Sequence, residues 1–390
     1  MRIKRPRHLF AYPVSQPELS LPELLAGGRG VAFRTEWRGL TPFMPGEISL
    51  TFDDMALIDA IPPEEGVDRD TLAARFGPER VDRLIDAGLL LGDHPEHESL
   101  RRRDETITAA GWWKLAALVQ GQGRWQGVDI AADEAREGRR TLEKMTQESG
   151  PLPPEVLETR PRETWQRLSA PRKTDLDDLL ARRATCRNFD PVFSLPLEDL
   201  GASLHRVFGA QATQELAPGI VALKKNSPSG GGLHPIEAYV LVQRVQGLAP
   251  GLYHYQPVAH ALEPMRLATT EELAAMAHEL VAGQHWFANA PVQVLMAARF
   301  RRNYWKYRNH SKAWKVIQLD AGHLSQNLYL SATEQGYGAF VTGAINDECA
   351  ERLFELDGVT VGAIAVCGFG RRAEGLLTTE FDPLGKSVRG

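Results

Sequence analysis

Residues 227–235 read SPSGGGLHP. Three consecutive glycines flanked by Ser-Pro and His-Pro cannot sit inside a helix or a central strand, because glycine loses the most backbone entropy there and proline has no amide to donate. The chain must turn here. Without Cβ atoms in the way, its N–H groups can lie close to a flat or anionic ligand. The apolar run 236–242 (IEAYVLV) next to it reads as a buried strand. A glycine turn entering a buried strand is either a structural turn or the wall of a binding site, and its own residues favour neither. It is not a dinucleotide fingerprint, since no strand–Gly–helix order surrounds it, and no Lys-Ser/Thr comes after it to make a P-loop.

The chain has 390 residues, 43% of them hydrophobic, which allows two or three domains. A net charge of −5 gives no reason to expect a nucleic-acid partner, although the first ten residues, MRIKRPRHLF, are basic. No apolar run is long enough to span a bilayer, so no membrane association is expected. Pro13 and Pro17 interrupt the segment after the basic start, so no secretory signal is expected either. Cys186, Cys349 and Cys367 are odd in number and far apart. They make neither a disulfide framework nor a metal site, and a cytoplasmic location is the simple expectation. Asp320 and His323 can share a helix face, where a hydrogen-bonded core pair is expected rather than metal ligation.

Four regions are expected. Residues 1–45 form an amino-terminal extension with a short helical pattern at 19–25. Residues 46–118 resemble a winged helix in their order. A strand at 47–52 precedes helices at 53–61, 71–76 and 78–88, then a strand from 89 and a polar hairpin around 94–105. The third helix, PERVDRLIDAG, has balanced charge, which disfavours DNA; a peptide along an exposed strand edge fits better. Residues 119–173 read as a helical linker, with a helix near 131–147 and prolines at 151–154. Trp112, Trp113 and Trp125 are expected as packing anchors. From 174 to 390, helices at 175–183, 197–208, 271–283 and 313–335 mix with strands at 236–242, 251–255, 261–265, 292–300 and 359–369. Without regular βαβ alternation this is an α+β pattern.

Two basic clusters bracket that last region. Arg182, Arg183, Thr185 and Arg187 lie in the run RRATCRNF. Forked guanidiniums and a hydroxyl so closely spaced can converge on one phosphate. Alone, such a run is more commonly a solvated helix end. Near the carboxyl end, Arg371 and Arg372 come after a buried strand and could close on the same phosphate, or be a charged loop.

Taken in order, five motifs carry a family resemblance. RATCRNF resembles the RRSxRxF element that opens the nitroreductase-like flavin fold. SPSGGGLHPIEAYV, PGLYHYQPVAHALE, LDAGH with QNL, and GYG resemble segments of the SagB/ThcOx-type dehydrogenase branch, over about 182–372. The resemblance is to a peptide-maturation dehydrogenase. It implies an antiparallel-rich sheet flanked by helices, dimeric, with FMN at the homodimer interface. It further implies that Arg183, Thr185 and Arg187 hold the FMN phosphate and ribityl chain, and that Ser227, Ser229, Gly230 and Gly231 line the flavin. Thr342 and Gly343 would face flavin N5, and Arg371 and Arg372 would complete the phosphate site. One departure is that Ala184 stands where the family has a second arginine and Thr185 replaces serine; whether Arg182 makes good the lost donor is open.

Lys306 and Tyr307 resemble the pair associated with catalysis in the azoline-oxidising branch. Azoline-to-azole oxidation sends a hydride to flavin N5 and a proton to a base. An ammonium can serve as that base only once desolvation or cations such as Arg301, Arg302 and Arg308 weaken its hold on the proton. Adjacent residues do not share a helix face, so either the pair lies outside a helix or one member acts alone. Outside the flavin context, an aromatic and basic surface segment is the plainer reading.

The expected function is thus FMN-dependent oxidation of a ribosomally made precursor peptide, with Lys306 and Tyr307 handling the proton and a cyclodehydratase as partner enzyme. The alternatives are an NAD(P)H-dependent reductase of small electron-poor substrates, which would not need the long amino-terminal region, and a non-catalytic flavin-containing scaffold that binds a peptide.

Overall fold

In the computed structural model, which describes residues 1–138 and 141–387, the amino-terminal region holds a sheet where only a short helix was expected. Phe10–Leu19 pairs antiparallel with Val31–Leu40 over its whole length, and Ile48–Leu50 adds a third strand. Pro13 and Pro17 hid this hairpin. They are tolerated because Phe10–Leu19 lies at the edge of the sheet, where a missing amide breaks no ladder. The helix Leu21–Leu25, capped by Ser20, does exist; it sits in the hairpin connection.

The chain divides into two compact units. The first comprises Met1–Arg124, Ala298–Gln318 and Asp357–Gly362; the second comprises Trp125–Ala297, Leu319–Leu356 and the chain from Ala363 onward.

In the first unit, Phe52–Asp59, Arg69–Phe76 and Pro78–Asp86 form the three expected helices. They bury Leu57, Ile58, Leu72, Val81, Leu84 and Ile85 around Ile3. The polar hairpin expected at 94–105 is absent. Glu98–Ala110 is a helix that ends at Gly111 in the left-handed region. That glycine is a helix stop, and the segment has no turn residue in its middle, so helix wins over hairpin. The strand that such a hairpin would have supplied comes from elsewhere: Arg2–Lys4 lies between Val67–Asp68 and Leu91–Gly92 in a three-stranded sheet. Trp112 packs on Phe300 and Tyr304, with ring centroids 4.5 and 4.8 Å away, and its indole N–H donates to the Val359 carbonyl at 3.0 Å.

In the second unit, the main sheet has the order Ala261–Leu267, Gly251–Gln256, Ile236–Val242, Val292–Arg299, Val361–Gly370, Gly338–Thr342. Leu197–Phe208 buries Leu200, Leu204, Val207 and Phe208, as its spacing predicts. The long helix Ala313–Glu334 buries Leu324, Leu328 and Ala332. An exposed hairpin, Ala212–Ala217 with Ile220–Lys224, was not foreseen. The helix expected near 131–147 is described as two, Ile130–Glu137 and Leu142–Ser149; residues 139–140 between them lie outside the described residues.

Thr51 and Asp54 close a reciprocal capping box at the start of Phe52–Asp59. The Asp54 side chain has no solvent exposure and also pairs with Arg80 and Arg83. Burial alone would raise its pKa, but the Thr51 amide and hydroxyl and the Arg83 guanidinium outweigh it and hold the carboxyl below its ordinary 3.8. Its contribution to stability is therefore complete above that pH and is lost as pH falls through the folded value. Thr51→Ala is expected to cost about 1 kcal/mol, read from urea unfolding. Asp54→Asn should flatten the fall in stability on the acid side; a profile that still tracks the wild type would assign that fall to other carboxylates.

Candidate functional site

Residues 183–188 run as extended chain after the helix Asp175–Arg182. Their burial alternates. Ala184, Cys186 and Asn188 are buried, while Arg183, Thr185 and Arg187 are partly exposed. Period-two alternation places these three side chains on one outward face. Ala184 points inward and is 5% exposed, so its lack of a guanidinium removes nothing from that face.

Tyr329, from the long helix, anchors this row. Its hydroxyl accepts the Val341 amide at 3.2 Å and lies 3.1 Å from Thr185 Oγ1. Burial pushes its pKa upward, so it stays protonated. Either hydroxyl can donate in the contact between Tyr329 and Thr185. The Arg183 guanidinium stands 5.5 Å over the Tyr329 ring. Thr185 bridges to Ala339 and Cys186 N–H donates to the Ala339 carbonyl, which ties the row to the strand Gly338–Thr342. Thr342 turns its hydroxyl inward to Gln284 and the Ala344 amide. Gly343 is exposed, and a Cβ there would meet nothing within 4 Å.

The expected phosphate arginines at the carboxyl end have partners within the chain. Arg371 donates to Asp190 Oδ2 at 2.6 and 3.0 Å. Arg372 is 3% exposed and pairs with Glu380, while its other nitrogen donates to the Ala184 carbonyl at 2.5 Å. Glu380 also accepts the amides of Arg187 and Asn188 at 2.6 and 3.0 Å. Asn188 receives the Leu377 and Thr378 amides, both at 2.8 Å. The segment after Arg372 thus straps the arginine row from behind.

The glycine turn is held by the same long helix. Ser229 Oγ donates to Asp320 Oδ2 at 2.5 Å, Gly230 N–H donates to Oδ1 at 3.1 Å, and His234 N–H donates to Ser229 Oγ at 2.9 Å. Asn327 donates to Ser227 Oγ at 2.8 Å. Gly231 has φ +64°, where a side chain would be strained. The expected pairing of Asp320 with His323 gives way to this arrangement; Asp320 is buried against the glycine turn and His323 is exposed. Nine residues separate Asp320 from Tyr329, roughly two and a half turns at 3.6 residues per turn. Their side chains leave opposite sides of the helix. The structure therefore gathers Arg183, Thr185, Arg187 and Gly343 on one side, and Ser227, Ser229, Gly230 and Gly231 on the other.

Lys306 ends the helix Phe300–Lys306, and Tyr307 comes next with φ −108° and ψ 44°. The helix stops between them, so both side chains can approach one point, and Lys306 Nζ lies 5.7 Å from the Tyr307 ring centroid. Both belong to the first unit. Burial pushes the thiols of Cys186, Cys349 and Cys367 up to about 12, which makes them poor nucleophiles. No cluster of metal-ligating side chains occurs among the described residues.

The donor set fits a flavin mononucleotide. Two guanidiniums and a hydroxyl on one face suit its phosphate, and an open glycine backbone suits a flat ring. Reading the sequence missed Tyr329, which is spelled like any core tyrosine, and Glu380, two of whose partners, Arg187 and Asn188, lie far from it in the chain. Glu380→Ala would leave Arg372 buried without a counter-charge and is expected to cost about 3–5 kcal/mol. Urea unfolding and protease cleavage within 373–387 would register it; unchanged stability would mean that the strap does not hold the row.

Comparison with known proteins agrees with this fold. The nitroreductase family model matches residues 180–370. A Methanocaldococcus jannaschii protein named as a nitroreductase, MJ1384, is 30% identical over 184 residues, covering 46% of this chain and 84% of that one. The trifolitoxin-processing protein TfxB of Rhizobium leguminosarum bv. trifolii is 31% identical over 35% of this chain and 36% of its own length. The microcin B17-processing protein McbC of Escherichia coli is 28% identical over 38% of this chain and 55% of its own. The chain therefore spans only about half of McbC and a third of TfxB. Among solved structures, a chain of the E. coli microcin synthetase McbBCD complex with truncated pro-MccB17 shares the fold, with a TM-score of 0.51 at 21% identity over 69% of this chain and 97% of that one. No helix among the described residues is long and apolar enough to cross a membrane. The nitroreductase family is one of oxidoreductases that commonly bind FMN, and by its arginine row, its mixed fold and these matches this chain belongs to it.

Proposed function

We propose that the chain is an FMN-dependent dehydrogenase that oxidises a ribosomally made precursor peptide, by azoline-to-azole chemistry. The observation that carries the reading is the outward row of Arg183, Thr185 and Arg187, braced by Tyr329 and Glu380. The likeness to TfxB and McbC, both named for processing peptide products, supports a peptide as substrate.

When bound, FMN would supply the acceptor for the substrate's hydride. Arg183, Thr185 and Arg187 hold its phosphate, with Arg371 beside them and Arg372 acting through the Ala184 carbonyl to position the row. Ser227, Ser229, Gly230 and Gly231 line the ring, and the backbone at Thr342 and Gly343 faces it. The half-revolution between Asp320 and Tyr329 supports a homodimer in which one flavin meets the arginine row of one chain and the glycine turn of a second copy. Lys306 or Tyr307 removes the proton from the carbon next to the one that loses hydride, so that each azoline loses two electrons and two hydrogens. The region 46–118 holds the precursor peptide, and a cyclodehydratase, acting before this chain, makes the azoline.

Purified protein should be yellow with a flavin spectrum; a colourless protein that takes up no FMN would overturn the reading. Arg183→Ala with Arg187→Ala is expected to weaken FMN binding by at least about 100-fold, since charge-assisted hydrogen bonds contribute about 1.5–3 kcal/mol each. Lys306→Ala and Tyr307→Phe should keep FMN bound. The variant that removes the base should lower turnover of an azoline peptide by about 10²–10⁴-fold. If neither changes turnover, the proton assignment falls. Bleaching of the flavin by NAD(P)H without peptide would favour a reductase of small molecules instead.

A further inference from the structure

The basic amino terminus has no part in the flavin chemistry, yet it carries four cations among residues 2–7. Ile3, Pro6 and His8 are buried, and Arg2, Lys4, Arg5 and Arg7 stay at the surface. These four line a cavity of about 470 Å³, with Arg101 also in its wall. A second cavity, of about 800 Å³, shares Arg5, Arg7, Pro63 and Glu64 with the first, and its lining includes Leu9, Met55, Ile58 and Trp112. Both cavities lie within the first unit.

The cations are not equivalent. Arg2 donates to the Gly66 carbonyl, Arg7 pairs with Glu64 at 2.5 Å, and Arg101 donates to the carbonyls of Gly92 and His94. Asp104 accepts the amides of Arg7 and His8 and lies 2.7 Å from the His8 ring nitrogen. These bonds build the walls. The side chains of Lys4 and Arg5 build nothing: among the described residues neither has a hydrogen bond or an ion pair.

We infer that this cleft binds an acidic and apolar stretch of a peptide, with its carboxylates on Lys4 and Arg5 and its apolar side chains in the adjoining cavity. Uncommitted cations in a concave wall concentrate the field and suit carboxylates. The lining speaks against nucleic acid. Leu9, Met55 and Ile58 have no use for a phosphodiester backbone. The inference rests on the reading that the substrate is a peptide, but on no step of the flavin chemistry.

The test is fluorescence anisotropy on the full chain with a labelled peptide of Glu, Leu and Ala residues, and with counterparts carrying Gln for Glu or Ser for Leu. The acidic, apolar peptide should bind, each counterpart should bind at least about ten-fold more weakly, and affinity should fall with added salt because the contacts are ionic. Lys4→Glu with Arg5→Glu should abolish binding while unfolding and flavin content stay unchanged. The milder Lys4→Gln with Arg5→Gln should lower it in the same direction, should the first fail to fold. Equal binding of the Glu and Gln peptides, indifference to both variants, or tighter binding of a DNA duplex than of the peptide would each overturn the inference. A colourless protein that still prefers the acidic peptide removes the flavin reading and leaves the cleft; a yellow protein with no preference removes the cleft alone.

Discussion

A guanidinium and a carboxylate with almost no access to water hold the arginine row in shape. Arg372 and Glu380 neutralise each other, and their remaining capacity goes to backbone, the Ala184 carbonyl on one side and the amides of Arg187 and Asn188 on the other. Buried charges are tolerable only when paired and hydrogen-bonded in this way. The result is an extended segment whose inward positions are fixed from behind. Its outward positions, Arg183, Thr185 and Arg187, stay partly exposed. The same bonds explain how Arg372, far from the arginine row in sequence, can act as its brace.

The long helix sets the other constraint. One side of it carries Asp320 and Asn327, which shape the glycine turn; the opposite side carries Tyr329, which anchors the arginine row. A helix is about 10 Å across with its side chains. In one chain, the two groups of expected site residues are therefore anchored on opposite sides of that helix.

Regular, locally encoded elements were legible in the sequence. The helix Leu197–Phe208 and the strand Ile236–Val242 lie where apolar spacing placed them, because each buries one face and is bounded by turn residues. The arginine row and the glycine turn were visible as motifs, but alone each was open to a plain structural reading, and only their order along the chain carried the resemblance. The hairpin Phe10–Leu19 with Val31–Leu40 was not, since proline argues against a strand unless that strand lies at an edge, and edge position is a property of the assembled sheet. The helix Glu98–Ala110 was misread because a charged segment after a strand looks like a wing until the central strand is found at the other end of the unit.

The sequence by itself determined which groups the chain carries: closely spaced cations with a hydroxyl, a run of glycines, and a Lys-Tyr pair. These come from side-chain type and short spacing, which tertiary structure does not alter. Only the tertiary structure decided which of those groups are available. Arg371 and Arg372 are engaged by carboxylates, Ala184 faces inward, and the side chains of Lys4 and Arg5 line a cleft with no hydrogen bond or ion pair among the described residues. Availability depends on what lies opposite a side chain, and the partners of Arg2, Arg101 and Glu380 are brought to them by the fold. The pattern of neighbouring residues in the chain cannot specify it.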